Sequence, residues 1–280
     1  MEQFGYPLIP HGSKEPVHFF ALIRKRHQFR DEGLSAMVWG MYLPRSGGRY
    51  GPYGNEEGPV DQYGDGWRHR LIKYYQDQMP DAQKSFYRDA SKYAYSVVEK
   101  FLYEPGHRQP GPDDLMVTPI EVHEPPRFFQ TDKGYNELAS VISLSNRMWA
   151  VDAAVKKIVE QFEPDLHRFY PVEIRSPRGM VYPVQYYLLV VGSWLQGFSP
   201  EDSNQESFTP HEANGVRWCS ILGYKNNVAG LALRPSVFNG AHLWRERGLN
   251  EWLLCLSDML EAELAGAGLM LPKYYRMRSV

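Results

Sequence analysis

"MWAVDAAVKKIVEQFEPDLHRFYPVEI", residues 148–174, changes its apolar period twice. Residues 147–151, "RMWAV", read as a strand, and Asp152 stands where a helix N-cap belongs. Val155, Ile158, Val159 and Phe162 then recur at helical spacing, and Pro164 closes that turn. "HRFYPVEI" (167–174) returns to strand composition. "RSPRG" (175–179) is a turn, and Val181–Val191 is the most apolar run of the chain. The two strands flanking that short turn predict an antiparallel hairpin.

The same order recurs near the end. "EWLLCL" (251–256) is a strand, Ser257 an N-cap, Met259 to Leu264 a short helix, "GAG" (266–268) its terminus and "LMLP" (269–272) an exit strand. Between the two units "GVRWCSIL", "GLALRPSVF" and "AHLWRE" supply further strands. Strands and helices mix without strict alternation, which predicts an α+β fold with a mostly antiparallel sheet.

The first third is less regular. "FFALI" (19–23) and "AMVWGMYL" (36–43) read as strands. "RSGGRYGPYGNEEGPVDQYGDGW" (45–67) holds seven Gly and two Pro, a composition that predicts a long surface loop without a regular element. It is not a phosphate loop: no Gly-Lys-Ser/Thr ends it, and His69 stands where a dinucleotide fingerprint needs its third glycine after Gly64 and Gly66. From Phe86 to Phe101 an apolar stripe through Ala90, Tyr93, Ala94, Val97 and Val98 predicts a longer helix. Prolines at 104–114 and 123–129 then suggest two segments, 1–125 and 126–280.

Net charge is −2 over 280 residues, but residues 105–215 alone carry −6. "RKRHQFR" (24–30) is too short to make a nucleic-acid stripe, so no nucleic acid is expected. The opening "MEQFGYPLIPHG" has no secretory pattern, and Tyr186–Val191 is far shorter than the ~20 residues of a membrane span. With two cysteines, Cys219 and Cys255, and no CxxC, a cytoplasmic protein with two buried thiols is expected.

Catalytic motifs fail on spacing. His123 and His211 each lack a second histidine four residues on, where Arg127 and Gly215 stand, so no metal site is expected and both should be water-exposed loop residues. Ser193 follows a strand as a nucleophile elbow would, but Gly-x-Ser-x-Gly is not kept and no helix follows. Glu201, Asp202 and Glu206 could flank a substrate or meet a partner, while Asp202 and Ser203 could equally cap a turn. Trp149, Trp218, Trp244 and Trp252 read as core; Trp194 and Phe198, at a strand exit, read as partly exposed. Tyr50, Tyr53 and Tyr63 in the glycine-rich loop offer contact area at low entropic cost. Candidate partner contacts are therefore Tyr50, Tyr53, Tyr63, Trp194, Phe198, Glu201, Asp202 and Glu206; no catalytic, cofactor or metal residue is assigned.

Three motifs in order carry a resemblance: the 148–174 unit, "YPVQYYLLVVGSWLQGFSPEDSN" (182–204), and "HLWRERGLNEWLLCLSDMLEAELAGAGLMLP" (242–272). Over roughly residues 130–280 the chain resembles the Imm11 (DUF1629) family of bacterial immunity proteins. The resemblance implies a protein that binds and neutralises a cognate toxin of a polymorphic toxin system, without catalysis or cofactor. The acidic middle third would complement a basic toxin. The competing readings are a hydrolase or transferase using the acidic loop, and an adaptor subunit.

Overall fold

The alternation at Trp149, Ala150 and Val151 is that of a strand buried on both faces. A computed structural model describes residues 37–42, 47–59, 64–106, 117–213, 216–221, 225–238, 240–249 and 253–280. "FFALI" (19–23), Tyr63 and Trp252 lie outside them. In chain order the first elements are β1 (Val38–Tyr42), β2 (Gly54–Glu56), α1 (Gly66–Asp77), α2 (Asp81–Lys84), α3 (Ala90–Lys100) and β3 (Phe128–Thr131). Then come β4 (Val141–Ser143), β5 (Trp149–Asp152), α4 (Ala153–Phe162), β6 (Arg168–Arg175), β7 (Tyr186–Val190) and β8 (Trp194–Leu195). They are followed by β9 (Phe208–Ala213), β10 (Val216–Ile221), α5 (Lys225–Ala229), β11 (Ala232–Leu233) and β12 (Leu243–Glu246). The last are β13 (Leu253–Ser257), α6 (Asp258–Gly266), β14 (Tyr274–Arg276) and β15 (Arg278–Ser279).

The fold is α+β and mostly antiparallel, as the pattern predicts. A six-stranded sheet runs β2-β3-β6-β7-β5-β4 and a five-stranded sheet runs β14-β1-β13-β12-β8. The parallel pairs are β3–β6, β12–β8 and β11–β15. The β6–β7 hairpin is antiparallel, with Phe169 opposite Leu189.

Period-2 alternation distributes the strands' side chains between two cores. Ala150, Val172, Ile174, Tyr186 and Leu188 join Trp67 and Leu71 of α1 and Tyr93 and Val97 of α3 on one face of the larger sheet. Trp149, Val151, Leu189 and Val191 enter a second core with Val155, Ile158 and Val159 of α4, Leu260 and Leu264 of α6, and Leu254 and Leu256 of β13. Leu253 and Cys255, the alternate residues of β13, point into a third core with Trp244, Phe198, Phe208 and Cys219. Trp67 and Trp244 are wholly buried, and truncating such a side chain typically costs about 3–5 kcal/mol.

Both strand–cap–helix units form as read. Asp152 Oδ1 accepts from Val155 N at 2.8 Å, and Ser257 Oγ accepts from Leu260 N at 3.2 Å. Four expectations need correction. The stretch 45–67 does contain regular structure, since β2 pairs with β3 and α1 begins at Gly66. Gly54 permits that pairing, because a Cβ there would meet the carbonyl oxygen of Gln130. The helix expected from Phe86 is α3, which starts at Ala90, where Asp89 caps it, and Phe86 is exposed. "LMLP" is not a strand; the chain pairs only from Tyr274, beside β1. Finally, β7 begins at Tyr186, so residues 181–185 belong to the hairpin connection.

Candidate partner-binding surface

Two surfaces compete for the role. The first is the exit of β7. Trp194 is half-buried: its Nε1 donates to Val191 O at 3.1 Å, its ring lies 4.8 Å from the Arg245 guanidinium, and Tyr103 stacks beside it. Phe198 is buried, edge-on to Phe208, which corrects the expectation of partial exposure. The amides of Gly197 and Phe198 both donate to the buried Glu246 carboxylate, at 2.8 and 2.9 Å. Beyond them the acidic loop closes on itself. Ser199 Oγ donates to Asp202 Oδ2, Ser203 Oγ donates to Ser199 O, and Ala232 N donates to Ser203 Oγ. Glu201 pairs with Arg234, and Glu206 is exposed. The capped-turn alternative thus accounts for Ser199, Asp202 and Ser203 with internal partners.

Gly192 has a local reason too. A Cβ there would run into the carbonyl oxygen of Leu166, and its amide donates to His167 Nδ1 at 3.1 Å. The residues after it form β8, not the helix that an elbow needs.

The second surface is built by register. Gly54 lies opposite Thr131, and Gln130 opposite Arg175, so the segment before β2, the segment after β3 and the β6–β7 connection emerge at one end of the larger sheet. Hydrogen bonds tie the three together. Asp132 N donates to Tyr53 O, Tyr53 N to Tyr135 OH at 3.2 Å, and Tyr135 N to Tyr182 OH at 2.8 Å. Gln130 Nε2 donates to Pro177 O at 3.1 Å. Within the β6–β7 connection Ser176 N donates to Met180 O and Gly179 N to Ser176 O, with Gly179 at φ 79°. On this frame Tyr53, Met180, Val181 and Val184 are 49, 65, 54 and 47% exposed. Lys133 Nζ lies over the rings of Tyr53 and Tyr135, 5.8 and 5.6 Å from their centroids. Tyr50, by contrast, packs on the first core.

A family model, the Immunity protein family (Imm11), matches residues 71–275, well over half of the chain. The chain belongs to the Imm11 immunity protein family. No curated protein sequence matches it significantly. The matched span opens in α1 and closes in β14, so it takes in the β6–β7 connection while Tyr53 precedes it.

In this Imm11 protein buried polar groups tie β2, the start of α1 and the β4–β5 connection together. Glu56, at the end of β2, is wholly buried, and Asn146 Nδ2 donates to its Oε2 at 3.1 Å and to Asp65 Oδ2 at 3.3 Å. Burial, then the charge of Asp65, pushes the Glu56 carboxyl up to about 8. Asp65 also caps α1 through Arg68 N, and Arg68 Nη2 donates to Asn146 Oδ1 at 2.7 Å. Asn146 holds a left-handed backbone, φ 56°, which asparagine tolerates better than most residues.

A second network fixes "HEPPR". Arg70 donates to the carbonyls of His123 and Pro125 and to Glu57, while Trp67 Nε1 donates to Glu124 O at 2.6 Å. Lys100 Nζ reaches Glu124 Oε1 at 2.5 Å with both side chains buried. His123 is therefore not a free loop residue: it stacks on Tyr74, and its Nε2 lies 2.8 Å from Tyr93 OH. Burial lowers its pKa. His211 is exposed on β9, stacked on Trp218, itself half-buried rather than core. Cys219 and Cys255 are buried free thiols whose pKa burial raises. Among the described residues no group of three or more His, Cys, Asp or Glu side chains could hold a metal, and no helix is long and apolar enough to cross a membrane.

Proposed function

We propose that this Imm11 protein neutralises a cognate toxin in the cytoplasm by stoichiometric binding, with no chemistry of its own. Family membership over residues 71–275 carries the reading. The physical support is a rigid, exposed apolar surface, since tight inhibition needs a preorganised face with a few apolar or aromatic anchors within ~1,200–2,000 Å² of buried area. The acidic-loop hydrolase has less support: Glu201 and Asp202 are held by Arg234 and Ser199 rather than aimed at a common point.

Support for a basic toxin is weaker, because seven acids of the middle third have internal partners. Glu124, Glu137, Glu160, Glu163, Glu173, Glu201 and Glu212 are each paired with a cation or histidine. The test is co-expression with the product of the adjacent gene in a susceptible bacterium, followed by co-purification. Rescue with a one-to-one complex is expected. Persistent toxicity with no complex for any neighbouring gene product defeats the proposal.

A further inference from the structure

We propose that the loop cluster of Tyr53, Lys133, Tyr135, Met180, Val181 and Val184 is the toxin-docking face, and that its partner presents an apolar recess with an acidic rim. The inference rests on the immunity reading and adds the face and the partner's chemistry to it.

Three observations carry it. The first is concentration. Of the nine large hydrophobic residues exposed among the described ones, Tyr53, Met180, Val181 and Val184 share one end of one sheet. Single exposed apolar residues are ordinary, but a cluster marks an interaction site. Val122 and Phe86 stand on other segments, away from these loops in sequence.

The second is preorganisation. Tyr182 faces inward and receives the Tyr135 amide, while its neighbours Val181 and Val184 stay exposed. The bridge between Arg175 and Val181 and the Ser176–Met180 bond close the base of the connection. A surface held this way loses little conformational freedom on docking. The β7 exit offers less, because Phe198 is buried and Ser199, Asp202 and Ser203 bond within their own loop.

The third is charge. Across the three loops Arg49 pairs with Glu137 at 2.8 Å, and at their border Arg175 pairs with Glu173 at 2.5 Å. Among the described residues of these loops Lys133 and Arg178 then stand against Asp132, leaving an excess of one positive charge in a part of the chain whose formal balance is negative. Lys133 is placed over two tyrosine rings, at the rim of the apolar residues. Opposite charges across the rim steer encounter and set its salt dependence.

The experiment uses the full chain and the purified, catalytically inactivated product of the adjacent gene, with affinity and association rate measured by surface plasmon resonance. Met180→Asp and Val184→Asp are expected to weaken binding by ~100-fold or more, as changes at central apolar contacts do, with the melting midpoint unchanged. Lys133→Glu with Arg178→Glu should slow association by about tenfold and flatten its salt dependence. Trp194→Ala and Asp202→Asn should leave affinity within about threefold. Hydrogen exchange on the wild-type complex should protect the amides of 132–135 and 176–185, a readout that needs no variant to fold.

Wild-type binding that survives Met180→Asp and Val184→Asp, with no protection in those loops, overturns the docking face and leaves the immunity reading intact. Faster association of the charge-reversed variant overturns the acidic rim. Absence of any wild-type complex removes the immunity reading, and this face with it.

Discussion

His167 Nε2–H donates to Glu163 Oε2 across 2.8 Å, and the proton is fixed on that nitrogen because Nδ1 accepts from Gly192 N. Glu163 also accepts from the amides of His242 and Leu243, at 2.8 and 2.9 Å. One carboxylate thus joins the end of α4, the approach to β6, the exit of β7 and the start of β12. Burial opposes its ionisation, but the His167 hydrogen bond and the two amides outweigh burial and hold its pKa below the usual 4.5.

A depressed folded pKa gives stabilisation that is present above about pH 4.5 and lost as pH falls through the folded value. Glu163→Gln should therefore flatten the acid limb of the stability profile and cost about 2 kcal/mol at pH 7, the scale of hydrogen bonds to a charged group. Urea midpoints from pH 3 to 7 check this. Parallel profiles for the two proteins would exclude it.

Glu56 predicts the opposite slope. Its folded pKa of about 8 stands above the ordinary 4.5, so its contribution is fully present below about pH 4.5 and lost as pH rises through 8. Glu56→Gln keeps an uncharged acceptor for Asn146 and has no proton to lose. The variant should gain on wild type progressively across that window, by on the order of 4 kcal/mol at its upper end. Denaturant unfolding at pH 5, 7 and 9 measures the gap; a gap that does not widen with pH would refute the assignment. Because Glu56 ends the strand that follows Tyr53, toxin binding should be steadier at pH 9 in the variant.

The two strand–cap–helix units were legible because a cap and an apolar stripe are local: Asp152 needs only Val155, and Ser257 only Leu260. Helix α1 was not read, because Trp67 and Leu71 emerge from a glycine-rich stretch and Ile72, Tyr74 and Tyr75 stand among charged and polar side chains. Strands of two or three residues, such as β8 and β14, exist only through partners distant in sequence. The loop cluster was legible at one point, Tyr53. Its other parts come from residues 133–135 and 180–184, which meet only through the β2–β3–β6 register, and Val181 looked like the start of a core strand. The acidity of the middle third is legible as a count, but which of its carboxylates pair with cations, as Glu124 does with Lys100 and Glu201 with Arg234, is not, because ion pairs are three-dimensional.

Gly192 and Ser193 separate packing from catalysis. Gly192→Ala drives a methyl into the Leu166 carbonyl and disturbs the amide that orients His167. The cost should be about 2–4 kcal/mol, in the range of severe overpacking. Ser193→Ala, beside it, should change stability by no more than about 0.5 kcal/mol and leave toxin neutralisation unchanged. A nucleophilic serine would give the reverse pattern: loss of activity at Ser193 with a normal melting curve.

The caps of α4 and α6 supply the last prediction. Asp152 caps with a charged oxygen at 2.8 Å, and Ser257 with a neutral one at 3.2 Å whose hydroxyl also lies 2.9 Å from His242 Nδ1. Removing either should cost about 1 kcal/mol, with Asp152→Ala the larger, since its charge also meets the positive end of the helix dipole. The two helices share a core through Val155, Ile158, Val159, Leu260 and Leu264, so fraying one loosens the packing of the other. Asp152→Ala with Ser257→Ala should then depart from the sum of the single changes by at least about 0.5 kcal/mol. A double-mutant cycle by chemical denaturation measures that departure, and strict additivity would mean that the two units stabilise the fold independently.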